Sequence, residues 1–334
     1  MSPVHPFARF VAALGRGPGR SRDLDEDEAR AAMTMILAGD AEPVQVGALL
    51  MLMRFKKETP AEIAGFVRAA RDRIPRFEAA PTVDLDWPSY ADRHKQLPWF
   101  VLAALLLAEN GVRVLMHGIR GVEDGFVSTG AALRGLGVAP SADPSSALRR
   151  LASDNFAYLP LETLLPPLAD LFALRPLLGL RSPVNSLARA LNPLGATHQI
   201  QGVFHPGYRA LHQEAARHLG QPHAAIFKGG GGEGQRGPDK SCRVLTLRDG
   251  APGVEDWPAL TPGSGYPWRE ESTELARIPA LWRGDNADPA PTAAVTGTAA
   301  LALRLCGRAA TMEAAQALAD ALWRERPKTK YGGV

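Results

Sequence analysis

Apolar residues spaced three and four positions apart run through the first 75 residues and predict three consecutive helices. Asp25 can cap the first helix, which ends where Gly39 interrupts the pattern. Pro43 opens the second helix. A third helix begins at Thr59 and ends near Ile74. Thr59 is followed directly by a proline and, three positions later, by a glutamate, which is the pattern of a capping box. This part of the chain therefore predicts a compact helical unit.

Short β-like runs alternate with helices from about residue 82 onward, which is typical of an α/β protein. Repeated helix breaks in the proline-rich stretch 159–193 predict several short elements. The turn formers of 249–272 predict a long excursion at the surface, and an alanine-rich helix is expected over 312–324. The β-like runs are 112–118, 198–204, 223–229 and 241–247.

Composition sets the broad class of the protein. The 334 residues, 46% of them hydrophobic, suffice for a full core and for two domains. The apolar run 98–108 is too short for a membrane span of about 20 residues, and the amino terminus MSPVHPFARF has no apolar signal core. We therefore expect a cytoplasmic protein without a membrane partner. Cys242 and Cys306 lack metal-site spacing and are expected to be reduced structural thiols.

A basic and aromatic loop, WPSYADRHK, precedes the apolar run and is the first candidate for chemistry. Arg93, His94 and Lys95 lie just before a predicted helix start, where free N–H groups and the helix dipole favour anions. This arrangement predicts phosphate contact. Trp87 and Tyr90 are either core residues or platforms on which unpaired bases stack.

A glycine-rich loop, FKGGGGEGQRGPDKS, is the second candidate. It does not match a Rossmann loop, because no helix pattern follows it, and it lacks the GK[ST] of a Walker loop. Two interpretations remain open. The loop is a flexible turn, or its backbone amides follow a phosphate backbone with help from the flanking cations Lys228, Arg236 and Lys240.

Several long stretches resemble the anthranilate phosphoribosyltransferase superfamily, also called glycosyltransferase family 3. They include LDEDEARAAMTMILAGDAEPVQVGALLMLMRFKKETPAEIAGFVRAAR, NGVRVLMHG, LRPLLGLRSPVNSLARALNP and QGVFHPGY. Within that superfamily, PSYADRHKQLPWFVLAALLLAENGVRVLMHG and FKGGGGEGQRGPDKSC look most like the YbiB branch, whose members bind nucleic acids.

The resemblance implies an α/β (α+β) protein with a nucleoside phosphorylase/phosphoribosyltransferase-like fold. Such a fold has a small helical domain, used by the family for homodimer contacts, and a larger domain with a central mixed sheet flanked by helices. We expect the helical domain over 1–78, with part of 159–193 packing on it. The α/β domain is expected over 79–158 and 194–334.

The family's phosphate-binding motifs are altered here. Its enzymes hold phosphoribosyl pyrophosphate on a glycine-rich GTGGD loop, whereas the matching region of this chain has no glycine. Its KHGNR segment matches 116–120, of which His117 and Arg120 are retained. Its acidic magnesium pair falls on Glu233 and Gly234, so only a weak remnant of the metal site is left. We therefore expect neither a metal nor a cofactor.

A second family segment, RxxxLGxRTxxN, matches Arg175, Arg181 and Asn185, and Arg189 stands where the enzymes carry a proline. The resemblance implies that these residues line the former substrate cleft or tie the two domains together. Both roles stay open at the level of sequence.

These features lead to the hypothesis of a non-catalytic homodimer whose former cleft binds DNA or RNA with little sequence preference. The alternative is a phosphoribosyltransferase that uses phosphoribosyl pyrophosphate and Mg²⁺, and a third possibility is a protein that only binds a partner through its helical domain. The nucleic-acid hypothesis requires Arg93, Lys95, Arg120, Lys228 and Arg236 to converge, and it loses its physical basis if they scatter. The full set of expected phosphate contacts is Arg93, His94, Lys95, His117, Arg120, Lys228, Arg236 and Lys240.

Overall fold

The computed structural model describes residues 3–75, 82–91, 96–120 and 127–332. The segment before residue 75 is helical, and its helix ends follow the sequence signals. Asp25 and Thr59 each form a capping box with the glutamate three positions later, and Gly39 ends its helix in the left-handed region at φ 79°. The expected helix starts and stop are therefore confirmed. The helices are α1 (Ala8–Gly15), α2 (Glu26–Ala38), α3 (Pro43–Lys56) and α4 (Pro60–Asp72).

The described residues of the larger part contain one seven-stranded mixed sheet in the order β3-β2-β1-β4-β5-β6-β7. The first five strands are parallel, and β6 and β7 are antiparallel additions at one side. The carboxyl ends of the parallel strands therefore meet along one edge. The strands are β1 (Leu85–Ser89), β2 (Val114–Gly118), β3 (Phe156–Pro160), β4 (His198–Val203), β5 (His223–Lys228), β6 (Cys242–Arg248) and β7 (Ala251–Trp257).

Helices cover the sheet, so the predicted mixed sheet flanked by helices beside a small helical domain is confirmed. No helix among the described residues is long and apolar enough to cross a membrane. The helices are α5 (Phe100–Glu109), α6 (Thr129–Gly135), α7 (Pro144–Asp154), α8 (Leu161–Leu164), α9 (Pro166–Phe172), α10 (Arg175–Leu178), α11 (Val184–Arg189), α12 (Arg209–His218), α13 (Arg277–Arg283), α14 (Pro289–Leu305) and α15 (Met312–Glu325).

Helix α5 is central to the larger core. Every residue from Phe100 to Ala108 is buried, and the helix packs between the sheet, α6 and α14. A helix that is apolar on all sides must be covered on all sides, which explains the unbroken apolar run in the sequence. The start of α5 consequently has a fixed position at the carboxyl edge of the sheet.

The short helices of the proline-rich stretch join the two parts of the molecule. Helices α9 and α11 pack on α2 and α4, and α12 also packs on α4. The Arg71 guanidinium donates hydrogen bonds to the carbonyls of Ala190 and Leu191, which bridges α4 to the end of α11. Apolar side chains of both parts form one continuous core at this junction.

Three strands were not expected from the sequence. Strand β1 contains Pro88, but it pairs with β4 only at Leu85 and Asp86, so the proline interrupts little of the sheet. Strand β3 is a short buried run. Strand β7 falls inside 249–272, and most of it is exposed, as expected of a surface segment, but the turn-rich sequence did not reveal the strand. An edge strand is held by backbone bonds to its neighbour and needs no apolar pattern.

Candidate functional site

An open cleft of about 580 Å³ lies beside the end of β5, where the carboxyl edge of the sheet meets the antiparallel strands. Ligands of open α/β sheets commonly bind outside the carboxyl ends of the strands. Among the described residues, four cations and two carboxylates line this basic cleft together with Gln96 and Trp268. The charged residues are Arg209, Lys228, Lys240, Arg243, Asp239 and Asp256.

The four cations of the basic cleft differ in how far they are already paired. Arg243 forms a two-pronged ion pair with Asp256, with N–O distances of 2.8 and 3.0 Å. Arg209 donates to the backbone carbonyl of Arg243 at 3.0 Å. Lys228 and Lys240 are exposed and form no ion pair with any described residue. These two lysines are therefore available to an external anion.

The start of α5 has the free N–H groups of a helix end, but internal side chains accept hydrogen bonds from them. The N–H of Leu97 donates to Glu271 Oε1 at 2.7 Å, and the N–H of Phe100 donates to Gln235 Oε1 at 3.0 Å. A phosphate bound at this helix start would compete for the same donors. The protein therefore fills this anion position with its own carboxylate and amide.

Glu271 also fixes the segment that follows β7. Its Oε2 accepts hydrogen bonds from the hydroxyl of Tyr266 at 2.8 Å and from Trp99 Nε1 at 3.3 Å. Arg277 lies 3.6 Å from the same carboxylate. Burial raises the pKa of Glu271 in spite of these donors. The carboxylate thus joins the head of α5 to a segment far away in the sequence.

Glu233, the remnant of the family's magnesium pair, faces the interior. Its side chain is 1% exposed, and Oε1 accepts the N–H of Ala91 at 2.7 Å. One carboxylate bound to the backbone does not fit a magnesium ion, which takes several oxygen ligands. Among the described residues, no group of three acidic, histidine or cysteine side chains is placed to hold a metal ion.

Of the two interpretations of Trp87 and Tyr90, base stacking is wrong, because both rings belong to the core. Trp87 is fully buried and stacks on Phe100, with ring centroids 6.2 Å apart. Tyr90 is fully buried, stacks on Phe172 and forms a 2.7 Å hydrogen bond with His117 Nδ1. No face of either ring is open to a base.

His117 and Arg236 are also buried, so phosphate contact by either one is a prediction that the structure contradicts. His117 is 0% exposed between Tyr90 and Asp86, whose Oδ1 lies 3.1 Å from Nε2. Arg236 is 1% exposed, donates to the carbonyl of Pro258 and lies over the Trp257 ring. Burial lowers the pKa of its guanidinium. Both side chains belong to the core and not to the cleft.

The glycine-rich loop is a packed turn, and several of the amides that the phosphate interpretation requires already donate within the protein. The N–H of Gly230 donates to the carbonyl of Gln235, and the N–H of Gly232 donates to that of Gly229. A Cβ on Gly229 would lie 1.6 Å from the carbonyl oxygen of Glu233. These glycines are needed for close packing of the backbone. Of the predicted flanking cations, Lys228 and Lys240 reach the cleft and Arg236 does not.

Arg120 lies at the end of β2, on the other side of β1 and β4 from Lys228. Three strand spacings correspond to about 14 Å. Arg120 lines a smaller cavity of about 240 Å³ with Arg134, and its Nη2 donates to Thr163 Oγ1 at 3.3 Å. Of the described residues that were required to converge, only Lys228 lines the basic cleft. Arg120 lies in a separate cavity and Arg236 is buried, so the predicted convergence is wrong for these two.

The residues expected to line the former substrate cleft have separate roles. Arg181 and Asn185 line a narrow cavity between the helical part and the sheet. Arg189 lines its floor, but the guanidinium donates to the carbonyls of Gly202 and Asn185 and so connects α11 to β4. Arg175 begins the short helix α10 and does not line that cavity.

Arg93, His94 and Lys95 lie outside the described residues, so their phosphate contact stays a prediction. Gln96, which follows them directly, lines the basic cleft. Sequence reasoning missed Arg209, Arg243 and Trp268. Arg243 could have been found, because it alternates with buried neighbours in a predicted strand, whereas Trp268 has no periodic signal.

Together, a helical bundle, a mixed sheet with five parallel strands and a cleft at their carboxyl edge define a two-domain protein of the glycosyl transferase type. Residues 9–74 match the glycosyl transferase family, helical bundle domain, and residues 100–251 match the glycosyl transferase family, a/b domain. The chain belongs to the glycosyl transferase family that contains anthranilate phosphoribosyltransferase.

Individual relatives agree with this assignment. Anthranilate phosphoribosyltransferase of Geobacillus kaustophilus is 30% identical over 89% of this chain and 88% of its own length. The uncharacterized protein YbiB of Escherichia coli is 28% identical over 73% of this chain and 76% of its own. The crystal structure of anthranilate phosphoribosyltransferase from Thermus thermophilus superposes with a TM-score of 0.76 at 25% identity, covering 94% of each chain.

Proposed function

We propose that this chain is a non-catalytic member of the family that binds DNA or RNA through the basic cleft, with little sequence preference. One observation carries the proposal. The donors at the head of α5 are taken by Glu271 and Gln235, while Lys228 and Lys240 remain unpaired among the described residues in an open cleft. We place this activity in the cytoplasm, the location expected from the sequence.

The chemistry of the basic cleft suits a polymer of phosphates. Exposed lysines contact phosphates as point charges, and each contact releases counterions from the nucleic acid. Such contacts do not read the base sequence. The resemblance of WPSYADRHK and its surroundings to the YbiB branch supports the same ligand and adds Arg93, His94 and Lys95 as expected contacts.

Phosphoribosyl transfer is the second candidate, and the relatives named anthranilate phosphoribosyltransferase favour it over nucleic-acid binding. The local geometry opposes it. Trp87 fills the region that matches the glycine-rich cradle, and Glu233 is bonded to the backbone of Ala91. Transfer depends on stabilising the departing pyrophosphate, which needs open donors and a metal.

Titration of a labelled oligonucleotide at several salt concentrations tests the proposal, in parallel with calorimetry of phosphoribosyl pyrophosphate and Mg²⁺. We expect oligonucleotide binding whose log K falls by about 0.9 per contacted duplex phosphate for each tenfold rise in salt. Lys228→Glu combined with Lys240→Glu should weaken binding roughly tenfold or more and reduce that slope by about 2.

Arg149→Glu combined with Lys328→Glu is the matched control, because it changes the net charge equally at exposed positions outside the basic cleft. It should leave most of the affinity intact. Absence of oligonucleotide binding at low salt, together with micromolar binding of phosphoribosyl pyrophosphate, would replace the proposal with the transferase.

We also propose that the protein is a homodimer through its helical part. Large apolar side chains are exposed there: Phe55 is 88% exposed on α3, Leu177 is 82% exposed on α10, and Leu180 is 55% exposed. Phe55 and Leu180 line one groove of about 790 Å³. Exposed apolar patches of this kind mark interaction surfaces, and the family resemblance identifies a second copy as the occupant.

A further inference from the structure

Trp268 is the aromatic side chain that the basic cleft presents to a ligand. It lies in the segment after β7 and lines the cleft with Lys228 and Gln96. The chain has six tryptophans, all within the described residues, and the other five are at most 7% exposed. Trp268 is partly exposed. The aromatic surface that Trp87 and Tyr90 do not provide is therefore provided here.

The position of Trp268 is set before any ligand arrives. Its ring packs against Tyr266 at a centroid distance of 4.5 Å, and its backbone N–H donates to the Tyr266 carbonyl. The Tyr266 hydroxyl bonds to Glu271, and Arg277 donates to the same hydroxyl at 3.0 Å. A side chain ordered in this way loses little conformational freedom on binding.

Polar groups around Trp268 complete a subsite for a nucleotide. Lys228 and Lys240 supply charges for a phosphate in the same cleft. The indole N–H of Trp268 is shielded from the cleft, so the group that the cleft offers to a ligand is the partly exposed ring. A ring beside cations is the arrangement with which proteins bind unpaired bases and their phosphates.

We propose that Trp268 stacks on an unpaired base and makes the cleft select single-stranded over duplex nucleic acid. The inference rests on the proposed function, because the cleft must first bind phosphates. In a duplex both faces of each internal base are already stacked, so an aromatic side chain gains a base face only from an unpaired strand. The lysines, in contrast, contact phosphates of either form.

The test compares wild type, Trp268→Ala and Trp268→Phe with single-stranded and duplex oligonucleotides of equal length. Stacking is worth about 1–3 kcal/mol per base, so Trp268→Ala should weaken single-strand binding roughly 5- to 150-fold. Duplex binding should change less than about twofold, because no stacked base is lost. Trp268→Phe keeps an aromatic face and should retain most of the single-strand affinity.

Intrinsic tryptophan fluorescence gives a second readout. A single-stranded oligonucleotide should quench wild-type emission, and the quenching should disappear in Trp268→Phe because the other tryptophans are buried. A deoxynucleoside monophosphate is the third arm. The monophosphate contradicts the inference if it quenches the emission as much as the oligonucleotide does and displaces the oligonucleotide at equal base concentration. The subsite would then bind free nucleotides, and not a nucleic-acid strand.

The outcomes separate the two proposals. If wild type binds no oligonucleotide at low salt, the proposed function fails, and the role of Trp268 fails with it. If wild type binds oligonucleotides but Trp268→Ala keeps its single-strand affinity, only the inference about Trp268 is overturned. Circular dichroism shows whether Trp268→Ala is folded. If it is not, the fluorescence comparison decides: loss of quenching in Trp268→Phe supports the inference, and quenching equal to wild type overturns it.

Discussion

Buried polar side chains form a chain of hydrogen bonds below the carboxyl edge of the sheet. Gln201 Nε2 donates to Gln199 Oε1 at 2.6 Å, so Gln201 Oε1 accepts from His212 Nδ1 at 2.7 Å. Gln199 in turn donates to Asp86 at 2.8 Å. A buried polar network of this kind favours one packing of the core. It connects His212, Gln201, Gln199, Asp86, His117 and Tyr90.

His212 gives the stability of the protein a defined dependence on pH. Burial lowers the pKa of this histidine from 6.5 to about 3. The unfolded chain therefore binds a proton between pH 6.5 and pH 3 that the folded chain does not. The contribution of His212 to the free energy of unfolding is fully present above the pKa that the histidine has in the unfolded chain. It is lost as the pH falls, and the loss is about 2 kcal/mol at pH 5.

Replacing His212→Asn should remove this dependence, since the amide still reaches Gln201 and does not titrate. Urea unfolding at pH 8 and pH 5 measures the pH dependence of the free energy of unfolding. Between these two pH values, that free energy should fall by about 2 kcal/mol more in wild type than in the variant. The control His205→Asn removes an exposed histidine and should behave like wild type. Equal losses in wild type and His212→Asn would contradict the prediction.

At the scale of elements, the glycine-rich loop and the head of α5 are packed against each other. A Cβ on Gly234 would lie 2.6 Å from Trp87 Nε1, and a Cβ on Gly230 would lie 2.5 Å from Gln96 Nε2. The loop therefore lies directly over the strand and segment that correspond to the family's phosphate cradle. Glycine at these two positions leaves room for the Trp87 and Gln96 side chains and is not a sign of mobility.

Gly229→Ala should destabilise the protein by at least about 1–3 kcal/mol, because the new Cβ meets the backbone carbonyl of Glu233 and cannot be accommodated by a side-chain rotation. Its φ of −87° is normal for alanine, so the effect is one of space. Gly135→Ala, which meets nothing within 4 Å, is the control and should change stability by less than about 1 kcal/mol. Equal midpoints of urea unfolding would refute this explanation.

Helix ends were well predicted, whereas several strands were not. The caps at Asp25 and Thr59 act within three residues, so local sequence suffices to recognise them. Strands β1 and β7 depend on their partners: Pro88 is acceptable only because of where β1 pairs, and β7 is held by the ladder to β6. Information of that kind is not local.

At the scale of the whole molecule, the exposed apolar surface on α3 predicts the oligomeric state. Phe55→Glu should weaken self-association roughly 30-fold or more, because it places a charge at the centre of the proposed interface. Sedimentation velocity over a range of concentrations measures the shift toward monomer. Val254→Glu is the control: Val254 is 57% exposed on β7, does not line the groove that contains Phe55, and should not affect association. A wild-type monomer at high concentration would exclude the dimer.

The sequence alone determined the helical part, the mixed α/β class, the family and the loss of the glycine-rich cradle. These depend on local patterns or on motifs read directly from the chain. Only the tertiary structure decided which candidates face solvent. It buried Trp87, Tyr90, His117 and Arg236 and brought Trp268 to Lys228. The physical reason is long-range contact: Glu271 bonds Leu97 across 174 positions, and no local pattern records such a pairing.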